Sequence, residues 1–190
     1  MQARGGARQD QILAVVTELI AEIGYEALTT DAVVARAQTS KTTLYRYWPG
    51  GKADLVAGAL RRAADCAPST TADAGSLTGD LLVCLGSMAD TLVGTHGIAL
   101  VELLNPARRD EALREQMRRL FDSSCRENAA ALTRNAAGRG TSLDERRVER
   151  ALEVAFAWTM NQLVFDGVPP AADAREEFAE QTLVRLIEAP

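Results

Sequence analysis

Residues 28–56, LTTDAVVARAQTSKTTLYRYWPGGKADLV, read as two short helices and the start of a third. Thr29 suits the position before a helix, where its hydroxyl accepts a free backbone N–H, and Asp31 favours the positive end that follows. Val33, Val34 and Ala37 give that helix a short apolar face, and Gln38, Thr39 and Ser40 interrupt it. Ser40 is a second capping residue, so the spacing predicts another short helix from Lys41, stopped by Pro49, Gly50 and Gly51. A further helix from about Lys52 carries Leu55, Val56 and Leu60.

Upstream, Ile12, Val15, Val16, Leu19, Ile20 and Ile23 fall at the spacing of one helical stripe, and Gly24 suits the left-handed residue that closes such a helix. A longer helix followed by two short ones with a three-residue turn reads as a helix-turn-helix. In that motif the second short helix enters the major groove of DNA with its first residues facing bases. Lys41, Thr42, Thr43, Tyr45, Arg46 and Tyr47 all carry hydrogen-bonding groups, whereas Leu44 and Trp48 would face inward.

Charge agrees with that reading once it is divided along the chain. The 190 residues carry a net −5. Residues 1–66 hold eight Lys and Arg against seven Asp and Glu, a net of +1, while 67–190 hold thirteen against nineteen, a net of −6. Residues 32–53 contain Arg36, Lys41, Arg46 and Lys52 and no acid, which predicts a basic patch whose cations are free to meet phosphate.

The remainder reads as helical throughout. Cys66 to Gly79, with Pro68, is rich in small and polar residues and reads as a connection between a unit of 1–66 and a body of 67–190. Helices are expected around Leu81–Leu92, over a short segment from Ile98 to Asn105–Pro106, and from Leu113 to the Gly138 and Gly140 break. Ser142 to Glu145 reads as a capping box opening a helix to about Asp166, apolar enough from Ala151 to Phe165 to be buried on more than one side. Asp173 and Glu176 read as a similar pair before a last helix with Phe178, Leu183, Leu186 and Ile187. The expectation is an all-α chain of roughly nine helices.

Other classes find little support. No apolar run is long enough for a membrane span, and the polar first residues resemble no signal sequence, so a cytoplasmic protein is expected. Cys66, Cys84 and Cys125 make neither a disulfide framework nor a metal site, and His96, the single histidine, reads as an exposed turn residue. Carboxylates sit beside arginines, as in Arg108-Arg109-Asp110-Glu111, which is the pattern of a solvated face; an enzyme, a metal and a cofactor are not expected.

The run resembles the TetR family of bacterial transcriptional regulators over about residues 9–62. The resemblance lies in the Thr-initiated helix ending Ala-Arg-Ala, then Ser-Lys-x-Thr-Leu-Tyr-Arg-Tyr-Trp-Pro, then Lys-x-x-Leu. Two departures stand out: Gln38 occupies a turn position where the family usually has Gly, and the Pro49-Gly50-Gly51-Lys52 turn is one residue longer. The resemblance implies phosphate contacts from Tyr47, Lys52 and Thr30, a backbone or base contact from Tyr45, and base readout from Lys41, Thr42 and Thr43. Ser40 and Arg46 belong to the same DNA-facing set. One recognition helix gives modest affinity, so a homodimer reading a palindromic operator of double-stranded DNA is expected, with the apolar last two helices as its candidate seam. The resemblance also implies a small-molecule effector in the helical body, where Met88, Leu92, Leu103, Met117, Phe121, Phe156 and Asn161 are the candidate lining residues. The alternative is a helical sensor or interaction module of the same fold that does not bind specific DNA.

Overall fold

The structure is a computed structural model describing residues 2–65 and 72–188. Cys66, Pro68 and the 66/67 boundary of the expected connection lie outside the described residues. Every regular element among the described residues is helical: α1 (Gln2–Ala27), α2 (Thr30–Arg36), α3 (Lys41–Tyr47), α4 (Lys52–Asp65), α5 (Leu77–Thr91), α6 (Thr95–Ala107), α7 (Glu111–Gly138), α8 (Glu145–Asp166), and α9 (Ala172–Phe178). The last continues through a π-helical segment (Ala179–Leu183) into α10 (Val184–Glu188). No single helix is long and apolar enough to cross a membrane.

Packing sorts these elements into two units, one of described residues up to 65 together with 94–120, the other of 72–93 together with 121–188. The packing boundary therefore differs from the expected one near residue 66. The reason is α6: Ala99, Leu103 and Ala107 join the same buried cluster as Ile12, Val16, Leu19 and Ile20 of α1. The α1 stripe is buried as its spacing predicts, except that Val15 is half-buried and Ile23 is exposed just before Gly24 (φ 77) breaks the helix. Leu44 and Trp48 of the α3 region, and Leu55 and Val56 of α4, complete that core. Gly58 lets α4 lie close, since a Cβ there would stand 2.9 Å from Leu13 Cδ2 and 3.1 Å from the Trp48 indole nitrogen.

The second unit buries Leu81, Cys84 and Leu85 of α5 against Cys125, Ala129 and Leu132 of α7, the Val148–Ala155 stripe of α8, and Ala179, Leu183 and Ile187 at the end of the chain. Burial pushes the Cys125 thiol up to about 12, so it stays protonated and behaves as a small apolar group. A charged clasp closes the unit. Asp80, fully buried in the first turn of α5, accepts from Arg139 Nη2 at 2.8 Å and from the Ala74 backbone N–H at 2.8 Å, and Arg139 also pairs with Asp73.

Several local expectations need correction. The α8 cap is Asp144, which accepts from the Arg146 N–H, and not Ser142. Asp173 lies inside the first turn of α9, whose cap is Ala171, so no capping pair with Glu176 forms. His96 is half-buried in the first turn of α6 and is not on a turn. In the single chain α8 is buried along one stripe, Val148, Ala151, Leu152, Ala155 and Thr159, and not on several sides.

Candidate nucleic-acid interface

The two short helices are positioned by the caps that the sequence predicts. Thr29 accepts from the Ala32 N–H at 3.1 Å, and Ser40 accepts from the Thr43 N–H at 3.1 Å. Between them Gln38 has φ 50, the left-handed conformation, and is the sole non-glycine with positive φ among the described residues. The departure from glycine thus leaves the turn geometry intact. Gln38 N–H donates to Ala35 O and Thr39 N–H to Val34 O, the bond pair that satisfies the last carbonyls of a helix closed by a left-handed residue.

Burial gives α3 two sides. Leu44 is fully buried and Trp48 nearly so, which seats the helix, while Lys41, Thr42, Tyr45 and Arg46 are exposed. Tyr45, 45% exposed, directs its hydroxyl to within 3.5 Å of Thr30 Oγ1. Gly51 (φ 65) lies under this pair, its would-be Cβ 3.6 Å from the Tyr45 ring and 3.9 Å from the Thr30 methyl. Thr30, Tyr45 and the start of α4 therefore form one surface. The Pro49–Gly51 turn is closed by Gly51 N–H donating to Trp48 O at 3.0 Å, and Asp54 accepts from the Gly50 N–H at 2.7 Å.

The cations are less free than the composition suggests. Lys41 Nζ is 2.7 Å from Asp31 Oδ1, and this contact raises the lysine pKa. Arg36 makes a two-pronged pair with Glu22 at 3.0 and 2.8 Å. The acid-free window of 32–53 misses both partners because they stand outside it, Asp31 by a single residue. Arg46 lies over the Tyr47 ring, 4.6 Å from its centroid, and donates to the Tyr47 hydroxyl at 3.0 Å. Tyr47 is half-buried and meets Trp48 edge-on. The Thr43 hydroxyl is 2.9 Å from Ser40 Oγ, so the cap engages it. The Lys41–Asp31 and Arg36–Glu22 pairs are both exposed, and exposed ion pairs are weak.

Lys52 is half-buried at the first position of α4. Its ammonium stands 4.1 Å from the centroid of the Tyr25 ring and donates to Glu26 O at 3.3 Å. The Tyr25 hydroxyl in turn donates to Asp110 Oδ2 at 2.9 Å. Burial, then the Asp110 bond, pushes the phenol up to about 12. The Leu113 N–H, then the Tyr25 hydroxyl, holds the Asp110 carboxyl below its ordinary value. Arg8 is a residue that the sequence reading does not single out; its Nη2 donates to Ala37 O and Gln38 O, at 2.8 and 2.9 Å.

The candidate effector residues fall in both units. Leu103 and Met117 belong with the first core. Met88 and Phe121 pack on the second core, and Phe121 meets Phe156 with ring centroids 4.6 Å apart. Leu92 is the buried residue that ends α5, while Asn161 is exposed on α8. No cluster of His, Cys, Asp or Glu among the described residues could hold a metal ion.

Residues 12–59 match the family described as bacterial regulatory proteins, tetR family, and residues 71–182 match the tetracyclin repressor-like C-terminal domain. The DNA-binding transcriptional repressor TetR of Mycobacteroides abscessus is 33% identical over 177 residues, covering 92% of this chain and 90% of its own. The HTH-type transcriptional regulator YdeS of Bacillus subtilis is 27% identical over 172 residues, covering 88% and 86%. A TetR-family regulator from Rhodococcus sp. shares the fold at a TM-score of 0.70 and 20% identity, over 95% of this chain and 98% of that one. With a helix-turn-helix that buries Leu44 and Trp48 and leaves Thr42, Tyr45 and Arg46 outward, and with both halves matched, the chain belongs to the TetR family of helix-turn-helix transcriptional regulators and is not an enzyme.

Proposed function

We propose that the protein is a ligand-responsive repressor that binds a near-palindromic operator as a homodimer in the cytoplasm. The observation that carries this reading is the two-sided α3: Leu44 and Trp48 hold it to the core, and Lys41, Thr42, Tyr45 and Arg46 remain outside. In this reading Thr42 meets base edges, with Lys41 and Thr43 joining it once the weak contacts to Asp31 and Ser40 are exchanged for DNA. Thr30, Tyr45 and Tyr47 position the motif on phosphates, and Arg46 stacks on Tyr47 beside them. The 1–66 part serves DNA and the 67–190 part serves dimerisation and the effector. One recognition helix gives modest affinity, so two half-sites about one helical turn apart, or somewhat more, are needed. The seam is the outer stripe of α8 with the helical end of the chain, where Val154, Val164, Phe165 and Leu186 are exposed in the single chain. The effector is a small apolar molecule contacting Met88, Phe121 and Phe156.

Lys52 supplies a phosphate contact on this reading, its ammonium pre-placed over Tyr25. Lys52→Ala is expected to weaken binding to all duplexes alike and to lower the slope of log affinity against log salt by about one. Fluorescence anisotropy at several salt concentrations checks it; an unchanged slope removes Lys52 from the phosphate set. A gel shift on the DNA upstream of the protein's own gene tests specific binding as a whole, and equal affinity for that fragment and a scrambled one would favour the sensor module without DNA specificity.

A further inference from the structure

The bend between α2 and α3 asks a glutamine to do what glycine does more cheaply. At φ 50 Gln38 places its Cβ against its own backbone, a cost of about 1 kcal/mol that glycine escapes. The bonds from Gln38 N–H and Thr39 N–H satisfy Ala35 O and Val34 O. They leave the carbonyls of Ala37 and Gln38, on the two residues at the bend itself. One guanidinium nitrogen, Arg8 Nη2, donates to both. Its neighbour Nη1 is held by Gln11 Oε1 at 2.6 Å, one turn further along α1, so the guanidinium is oriented from its own helix. A cation at the C-terminal end of a helix is also favoured by the helix dipole.

We propose that Arg8 is a positioning residue for the recognition helix: by gripping the two carbonyls at the strained bend, it fixes the angle at which α3 presents Thr42 and Thr43. It sets operator affinity and base preference without touching DNA. The inference rests on the reading of α3 as the element that faces bases. It explains how this chain tolerates Gln38: the fork-shaped donor on α1 supports a geometry that glycine would adopt unaided.

The test uses the full chain and a duplex selected from a random pool by the wild-type protein, with a scrambled duplex of equal length beside it. Arg8→Ala is expected to weaken the selected duplex about tenfold and the scrambled one by no more than about twofold, with the salt slope unchanged. In a Gln38→Gly background the same substitution is expected to cost only about two- to threefold, because the bend no longer needs the support. Arg8→Lys, which keeps the charge but not the fork, is expected to fall between. A salt slope lowered by about one with equal loss on both duplexes would make Arg8 a phosphate ligand and overturn the proposal. So would an undiminished loss in the Gln38→Gly background, or no loss at all. If the wild-type chain selects no preferred sequence, the reading of α3 fails on its own terms. Amide exchange then decides Arg8 separately: faster exchange at Gln38 and Thr39 in Arg8→Ala is expected, and unchanged rates would refute the brace.

Discussion

In the proposed homodimer, the double substitution Val154→Glu, Phe165→Glu is expected to separate the two copies and to weaken operator binding about 100-fold. The two residues lie eleven apart on α8 and therefore on one stripe, with Ala157, Asn161 and Val164, all exposed. Phe165 is 78% and Val154 41% exposed in the single chain, on the side of α8 away from its buried stripe. Together with Val154 and Val164, the Phe165 ring makes an exposed apolar patch of the kind that marks an interaction surface. On the function proposed above, the occupant is a second copy, because two recognition helices read paired half-sites. A two-fold seam over this stripe would hold all four introduced carboxylates, two from each copy, and strip water from them. Both positions are exposed, so folding of the single chain is unaffected. Sedimentation velocity reads the mass and anisotropy reads the affinity. A variant that stays dimeric with unchanged affinity would place the seam elsewhere.

Asp80→Ala is expected to lower the unfolding free energy by about 2 kcal/mol. Among the described residues, the substitution leaves Arg139, whose side chain is 22% exposed, with the half-exposed Asp73 as its carboxylate partner. It also leaves the Ala74 N–H without its acceptor. Removing Asp80 costs more than its bonds contribute, because the donors it met lose their acceptor while the site stays largely shielded. Asp80→Asn keeps the Ala74 bond and is expected to cost less. The urea midpoint at constant slope measures both. A loss under about 1 kcal/mol would show that the second unit does not depend on this ion pair.

What was legible in the sequence was local. Thr29 and Ser40 cap α2 and α3 because a cap is decided within three residues, and Gln38 takes the glycine's conformation because the bonds that close the bend span six. Near ties were misread on the same scale. Ser142 and Asp144 both suit a cap, and Asp144 takes it. What stayed hidden depends on contacts across the fold. Arg8 meets its carbonyls 29 and 30 residues away, and Arg36 meets Glu22 across helices. A charge count over a window has no access to either. The apolar run of α8 misled for a related reason: composition reports that two faces are apolar, but not that the single chain covers only one.

Selection of bound duplexes from a random pool, run in parallel with wild type and Thr42→Ala, tests most directly whether α3 reads DNA. Thr42 is exposed near the start of α3, so truncating it leaves the fold and the phosphate-facing residues intact. The expected result is a near-palindrome for the wild type, with the variant changing the preferred base at matching positions of the two half-sites. Identical preferences for both proteins, or a loss spread evenly over every sequence, would contradict base readout by α3.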